Sequence, residues 1–251
     1  MQVLYEDNHL YVVNKPAELA TMGALPGVPT ALELAKADIA ERYRKPGAVY
    51  LGVVSRLDAA VTGVLIFART SKAAARLSAQ FRERSTEKTY LALTSQAPRE
   101  RSATVRCWLR RDERRKLTDA ASQNDPDAQL CSLSYHTIAE RDGVHLLQVS
   151  LETGRKHQIR AHLAAIGHPI VGDKAYSLDG RHYLKRLEKE LDEADYAALG
   201  ASHQLLHAVH LEIRNQTGEG IVGTDSEVPE DFRKLFPDLD LSSGFNFPTT
   251  P

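Results

Sequence analysis

Three short segments of this chain place charged and aromatic side chains beside predicted strands or at a predicted helix start. In the first, Arg56 and Asp58 stand two positions apart, just before the apolar run GVLIFAR at residues 63–69. An Asp in this position can be held as a carboxylate on a rigid element, and carboxylates in proteins serve as bases or nucleophiles. The alternative interpretation is a surface loop in which the Asp only caps a turn. The motif alone does not decide between the two.

The second segment combines a cation with an aromatic ring. Lys88 and Tyr90 lie two residues apart in the predicted strand 88–94, so their side chains share one face of it. Such a face suits a flat, anionic ligand such as a nucleotide. A core tyrosine beside a solvated lysine explains the same spacing, and by itself this segment favours that simpler interpretation.

The third segment is a basic run at the start of a predicted helix, residues 155–166. Gly154 opens this helix, whose free N–H groups attract anions. Arg155 and Lys156 stand at that end, and Arg160 lies one turn deeper on the face of Lys156. The pattern predicts a site for an anionic ligand.

Two groups of histidines have spacings that can be compared with metal sites: His157 with His162, and His203 with His207 and His210. Five residues is an awkward spacing for two ligands on one helix. The second group would align on one helical face and hold a metal, which is the alternative enzyme class. Since residues 205–213 favour a strand, these side chains should scatter, and we expect no metal.

Hydrophobic patterning predicts the elements that position these residues. The predicted strands are residues 3–14 (a strand or tight strand pair with a turn at 6–8), 63–69, 88–94, 103–109, 130–140, 144–151 and 205–213. The predicted helices follow the capping box of Thr30 and Glu33, begin near Ser71, and span 155–166 and 182–199. The polar run 119–128 is predicted to be an exposed hairpin loop. No repeat or linker divides the chain, so we expect one α+β domain with a mixed or antiparallel sheet.

Charge is unevenly distributed although the net charge is −1. Residues 99–116 contain eight Lys or Arg and three acids, whereas the tail 216–251 contains seven acids and two basic residues. A basic segment could meet phosphates and an acidic end would avoid them. A solvated, charged hairpin is the alternative interpretation.

Composition favours a cytoplasmic protein with reduced cysteines. No apolar run approaches the roughly 20 residues that span a bilayer, so no membrane association is expected. The first 15 residues carry charge early and do not resemble a signal peptide. Cys107 and Cys131 are far apart in sequence and have no metal-like spacing.

Several motifs together resemble the RluA-type RNA pseudouridine synthases. SRLDAAVTG at 55–63 is similar to their HRLD-x-x-T-S-G motif, EKTYLAL at 87–93 to their K-x-Y strand, and ETGRKHQIRAHLAAIGHPIVGDKAY at 152–176 to their G-R-x-H-Q-I-R-x-H motif with its GHPI-x-GD continuation. Their N-K-P and L-H-A motifs appear at 14–16 and 206–208, and TGE at 217–219 and VPEDF at 228–232 are also similar. The resemblance runs in order from about residue 5 to 232, which makes it far more specific than any single motif.

The resemblance implies a role for each matching residue. Asp58 would be the catalytic carboxylate, and Arg56 would help to extrude the target nucleotide and fill the gap. Tyr90 would stack on the uracil, Arg160 would pair with Asp58, and Ile159 would form an apolar wall. The implied structure is the pseudouridine synthase fold, a mixed or antiparallel central sheet with flanking helices and loops.

The predicted partner is RNA, either tRNA or rRNA, and no cofactor is implied. Lys88 and Arg155 are added as candidate substrate-binding residues, and a monomer is expected. A catalytically inactive RNA-binding protein on the same fold is the alternative.

The chain also departs from the family pattern. Ser55 replaces the usual His, and residues 60–62 replace a more polar run. We expect a helical insertion at 178–200, and no S4-like RNA-binding domain is expected because the resemblance starts almost at Met1.

Overall fold

The computed structural model describes residues 1–44, 46–215, 221–239 and 241. Within these ranges eleven strands form one mixed sheet, accompanied by six α-helices, so the predicted α+β class is confirmed. The strands are β1 (Gln2–Glu6), β2 (Leu10–Lys15), β3 (Gly52–Val53), β4 (Thr62–Ala68), β5 (Glu87–Thr94), β6 (Ser102–Asp112), β7 (Leu117–Ala121), β8 (Gln129–Arg141), β9 (Val144–Leu151), β10 (Leu206–Arg214) and β11 (Ile221–Asp225). The helices are α1 (Ala31–Arg42), α2 (Ser71–Glu83), α3 (Gln158–Ala165), α4 (Arg181–Glu188), α5 (Glu193–Leu199) and α6 (Glu230–Leu235).

The strand order is β1-β2-β4-β10-β5-β9-β8-β6-β7, with β3 paired to β4 and β11 to β10. Strands β4 and β10 run parallel, and the other pairs are antiparallel. Gly63 makes the parallel contact possible: its φ is 108°, and a Cβ there would lie 2.1 Å from the carbonyl oxygen of Ala208. Asp58 lies in the loop that leads into β4, so this junction fixes where the loop ends.

Strand β4 is buried at every position because helices cover both of its faces. Val64 and Ile66 pack with Leu77 of α2 on one face, whereas Leu65 and Phe67 pack in the cluster that contains α1 on the other. The alternation follows from the two-residue period of a strand. The predicted capping box at Thr30 and Glu33 is present at the start of α1.

Several predicted boundaries need correction. Residues 117–121, partly assigned to a loop, form the edge strand β7 on β6. Helix α3 begins at Gln158, three residues later than predicted, and α2 is capped by Thr70 instead of Ser71. Residues 182–199 form two helices, with Lys189 left-handed at the end of α4. The buried residues of α2 are Ala73 and Leu77, and Ala74 and Phe81 are partly buried against the same cluster.

The structure also bears on the two cysteines and on the acidic C-terminal segment. Cys107 and Cys131, distant in sequence, are cross-strand neighbours on β6 and β8, and both are free thiols. Part of the predicted acidic segment 216–251, including Glu219 and Asp240 and the TGE motif, lies outside the described residues. No helix in the described ranges is long and apolar enough to span a membrane.

Candidate active site

The described residues enclose an open cleft of about 800 Å³ between the loop before β4 and the start of α3. Six of the seven residues predicted to form the site line it: Arg56, Asp58, Tyr90, Arg155, Ile159 and Arg160. Lys88 is the exception. Asp58 and Arg160, which are 102 residues apart in sequence, meet here because the strands beside them are neighbours in the sheet, in the order β4-β10-β5-β9.

The loop that carries Asp58 is held by residues to which the sequence motifs assigned no role. Lys15 is fully buried, and its ammonium donates hydrogen bonds to the carbonyl oxygens of Pro16, Leu19 and Ala59 at 2.8, 2.8 and 2.9 Å. Burial lowers the pKa of Lys15 to about 8, so it remains largely charged at pH 7. Three carbonyls are thus gathered around one cation, and that of Ala59 belongs to the residue directly after Asp58.

A second contact fixes the same loop from the other side of Asp58. The hydroxyl of Thr21 donates to the carbonyl of Leu57 at 2.9 Å and accepts from the Leu57 N–H at 3.1 Å. Both backbone polar groups of Leu57, its N–H and its carbonyl, are therefore hydrogen-bonded by one side chain. The carboxylate of Asp58 projects from a backbone held on both sides.

Arg160 binds two carboxylates at once. Its Nη1 donates to Asp58 Oδ2 at 2.8 Å, while its Nε and Nη2 donate to Asp173 Oδ2 and Oδ1 at 2.7 and 2.9 Å. The second contact is a bidentate pair, which fixes the plane of the guanidinium. Arg160 can therefore hold Asp58 only in the direction that Asp173 allows.

Burial makes this arrangement energetically significant. The Asp173 side chain is 0% exposed and that of Arg160 is 10% exposed, whereas that of Asp58 is 25% exposed. Burial opposes ionisation of Asp173, but Arg160 and the N–H groups of Ala175 and Tyr176 hold its pKa below the usual value. The pKa of Arg160 is raised by the two carboxylates. Asp173 and Arg160 thus form a charged anchor behind a carboxylate that faces the cleft.

The apolar part of the cleft is formed by Tyr90 and Ile159. Ile159 is buried and packs in one cluster with Leu163, Val61 and the partly buried Tyr90. Burial, with a smaller contribution from the charge of Asp58, raises the pKa of Tyr90 to about 12, so the phenol stays neutral. The ring and the alkyl side chain are positioned to contact a flat ligand beside Asp58.

The basic candidates differ in position. Arg56 and Arg155 are exposed at the cleft, and among the described residues neither has a carboxylate within ion-pair distance. Lys88 does not line the cleft; its ammonium lies 5.9 Å from the centre of the Phe81 ring, and burial lowers its pKa. The two-residue spacing predicts that Lys88 and Tyr90 share one face of β5. That face extends beyond the cleft, so only Tyr90 lines it.

The predicted basic segment 99–116 is partly neutralised by its own hairpin. Arg110 lies 3.2 Å from Asp125, Arg111 3.8 Å from Glu113, and Arg115 2.8 Å from Asp112. Lys116 lines the cleft. The surface available to phosphates is therefore less basic than the residue count suggests.

The histidine alternative does not form a metal centre. His207 is buried with Nδ1 2.7 Å from the Thr62 hydroxyl, His203 lies near Asp231, and His210 lies near Asp225. His207 and His210 lie on strand β10, whereas His203 precedes it. Among the described residues no group of three potential metal ligands is found.

Comparison with known proteins identifies the family. Residues 9–165 match the family described as RNA pseudouridylate synthase. The chain is 31% identical over 97% of its length to the ribosomal large subunit pseudouridine synthase D of Zymomonas mobilis, covering 74% of that protein. It is 34% identical over 98% of its length to the protein of the same name from Xylella fastidiosa, covering 72% of it.

The chain belongs to the RNA pseudouridylate synthase family. It is therefore an RNA pseudouridine synthase, an isomerase that converts uridine in RNA to pseudouridine, and the RluA-type resemblance is confirmed. The fold of human RNA pseudouridylate synthase domain containing 4 is the same: the TM-score is 0.73 at 24% identity, over 92% of this chain and 90% of that one. The predicted pseudouridine synthase fold is thus confirmed.

Proposed function

We propose that this synthase isomerises specific uridines of structured RNA, with Asp58 as its catalytic carboxylate. The observation that supports this most strongly is the 2.8 Å contact between Arg160 and Asp58 in a cleft that also contains Tyr90. A carboxylate anchored by a buried guanidinium is held in one orientation, as a base or a nucleophile requires.

The reaction explains why the cleft combines these groups. The bond between uracil N1 and the sugar breaks, the base turns, and a new bond joins C5 to the sugar. The C5 hydrogen leaves to solvent as a proton, and N1 gains a proton. The detached uracil must be retained during this turn, which Tyr90 as a stacking platform and Ile159 as a close apolar wall can achieve. Asp58 acts either as a base at the sugar or as a nucleophile, and no metal or coenzyme has a part in the proposed steps.

The target base must leave the RNA stack before it can reach Asp58. Extrusion costs a few kcal/mol and is easiest in a loop or a mismatch. Arg56 is exposed at the mouth of the cleft, where its guanidinium can occupy the gap that the base leaves. Arg155 stands at the same mouth and can meet a flanking phosphate.

Large-subunit ribosomal RNA is the first substrate to test, because relatives that match most of this chain carry that substrate in their names. The experiment is to map pseudouridine in ribosomal RNA and tRNA from cells with and without the protein. The proposal predicts a few defined sites that disappear with the protein and return when it is restored. Identical maps would contradict it.

The alternative is a catalytically inactive RNA-binding protein on the same fold. The two functions differ in one measurement, the release of tritium from RNA labelled at uracil C5, since only isomerisation exchanges that hydrogen with solvent. The proposed enzyme releases tritium in proportion to pseudouridine formed, and an inactive protein binds RNA without release.

Cytoplasmic location, a monomeric state and a single domain over 1–251 stay predictions.

A further inference from the structure

His157 lies beside Asp58, although neither composition nor spacing marked it as a site residue. Its Nε2 is 3.5 Å from Asp58 Oδ2, the same oxygen that Arg160 binds at 2.8 Å. The distance is longer than a strong hydrogen bond, but contacts in empty active sites often tighten when substrate binds. His157 also has a left-handed backbone with φ 55° directly before α3, a conformation that is uncommon outside glycine.

The other ring nitrogen of His157 has a defined partner. Its Nδ1 is 2.9 Å from the hydroxyl of Tyr176, which accepts a hydrogen bond from the Thr118 N–H at 2.8 Å. The Thr118 hydroxyl also donates to the carbonyl of Lys156 at 2.9 Å, so strand β7 holds both ends of this arrangement. Tyr176 is fixed from the opposite side, since its ring lies 4.9 Å from the Arg160 guanidinium.

The hydrogen bonds assign the tautomer of His157. The Tyr176 hydroxyl carries one hydrogen, and within the described part of the chain His157 Nδ1 is the acceptor in reach. If Nδ1 carried the proton instead, the buried hydroxyl hydrogen would lose its acceptor, which is unfavourable. The proton of a neutral ring therefore resides on Nε2, the nitrogen that faces Asp58.

The charges around the ring are consistent with a neutral imidazole at pH 7. Burial lowers the pKa of His157 to about 4, with Asp58 acting in the opposite direction and Arg160, Lys156 and Arg111 in the same one. Burial also raises the pKa of Tyr176 to about 12, so its hydroxyl keeps its hydrogen.

We infer that His157 is a positioning residue for the proposed catalytic carboxylate: its Nε2–H, set in that tautomer by the Tyr176 hydroxyl, donates to Asp58 Oδ2. This inference rests on the role proposed above for Asp58. Arg160 and His157 then bind the same oxygen, and within the described residues Oδ1 has no hydrogen-bond or ion-pair partner. Oδ1 is left to face the uridine.

Two donors on one oxygen restrict the carboxylate in a way that one donor does not. With Arg160 alone, Asp58 can rotate about its terminal bond and exchange its two oxygens. With His157 as a second donor from another direction, exchange breaks two contacts, both of them to the ionised carboxylate. Loss of this restriction should lower the rate of the chemical step, because that rate depends on how the reacting group is oriented.

The test is steady-state kinetics of C5 tritium release by wild type and the variants His157→Leu, His157→Gln and Tyr176→Phe. Leu removes the donor at similar volume, and we expect kcat to fall about 10- to 100-fold with KM within about twofold. Gln places an amide N–H where Nε2 was and should restore most of kcat. His162→Leu, within α3 but outside the cleft, is the control for disturbance of α3 and should change kcat less than threefold.

The link to Tyr176 is tested by a double-mutant cycle. Tyr176→Phe should lower kcat less than His157→Leu does, and it should have no further effect in the His157→Leu background. Additive effects would overturn the tautomer assignment. Where His157→Leu does not fold, His157→Gln is compared with His157→Asn, whose amide mimics Nδ1; equal or better activity of Asn would overturn the inference.

The outcomes separate this inference from the function on which it rests. No tritium release by folded wild type removes the proposed function itself. Release by wild type with unchanged kcat in His157→Leu removes only the role of His157. A rise in KM at constant kcat would make His157 a substrate-binding residue and would also overturn the inference.

Discussion

Replacing Asp173 by Asn tests whether the buried ion pair with Arg160 supports the site. The carboxylate accepts two hydrogen bonds from Arg160 and two from the N–H groups of Ala175 and Tyr176. In the variant, the NH2 group of the introduced amide must face other donors. In one orientation it points at the Arg160 N–H groups, and in the other at the N–H groups of Ala175 and Tyr176. One buried guanidinium then retains a single carboxylate partner, Asp58.

The magnitude follows from burial. Breaking a buried ion pair by removing one partner costs about 3–5 kcal/mol, because a charge is left without full compensation. Glu227→Gln is the matched control: Glu227 pairs with Arg233 on an exposed surface, where a pair contributes about 0–1 kcal/mol. Total stabilities are about 5–15 kcal/mol, so the loss in Asp173→Asn should be large but compatible with folding.

The assay is urea denaturation followed by circular dichroism, with the slope m compared between proteins. We expect a lower midpoint at unchanged m for Asp173→Asn and a nearly unchanged midpoint for Glu227→Gln. Because the folded-state pKa of Asp173 is lowered, its stabilisation is present above the unfolded pKa of about 3.9 and lost as pH falls through the folded value. The difference from wild type should therefore be constant from about pH 5 to 8 and shrink in stronger acid. Equal midpoint shifts for the two variants would refute the reasoning.

Three other predictions follow from the same contacts. Lys15→Met should lower the free energy of unfolding by about 2 kcal/mol or more, because three carbonyls lose their donor. Lys72→Met, at an exposed position, serves as the control in the same urea assay. Equal effects of the two substitutions would contradict the role of Lys15. Tyr90→Leu should reduce kcat/KM about 5- to 150-fold through lost stacking, whereas Tyr90→Phe keeps the ring and should stay close to wild type on this measure; similar losses in both variants would exclude stacking as the main contribution. Simultaneous replacement by Gln of the four hairpin arginines, Arg110, Arg111, Arg114 and Arg115, should weaken RNA binding and reduce the slope of log affinity against log salt by about 1–2. Four free cations would change this slope by roughly 3, but Arg110, Arg111 and Arg115 have carboxylate partners. Filter binding over a salt series measures this slope, and an unchanged slope would remove the hairpin from the RNA interface.

Much of the fold could be predicted from the sequence because its strongest signals are local. The continuous apolar run of β4 and the Thr30–Glu33 capping box depend on neighbouring residues, and both elements occur as predicted. Strand β7 was missed because LTDAA is short and polar, and it is a strand only through its pairing with β6. The start of α3 was misplaced because the Gln158 side chain accepts a hydrogen bond from the Arg155 N–H, which closes a separate turn before the helix.

The site shows the same division between local and distant information. The motifs around Asp58 and Arg160 placed both residues in the cleft, but nothing in the sequence indicated that Asp173 binds Arg160 from 13 positions away. Lys15 belongs to the matched N-K-P motif, but the motif does not indicate what Lys15 binds. Its burial depends on Ala59, 44 residues further along the chain. Buried charges of this kind become recognisable only when their partners are in place.

The central claim is that Asp58 carries out the chemistry, and the most direct measurement is tritium release from C5-labelled RNA by Asp58→Asn. Asn keeps the shape and an acceptor for Arg160 but cannot act as a base or a nucleophile. The account predicts that the variant folds and binds RNA as wild type does, and that its release falls at least about 100- to 10,000-fold. Release above a tenth of the wild-type rate by the folded variant would show that another group performs the reaction.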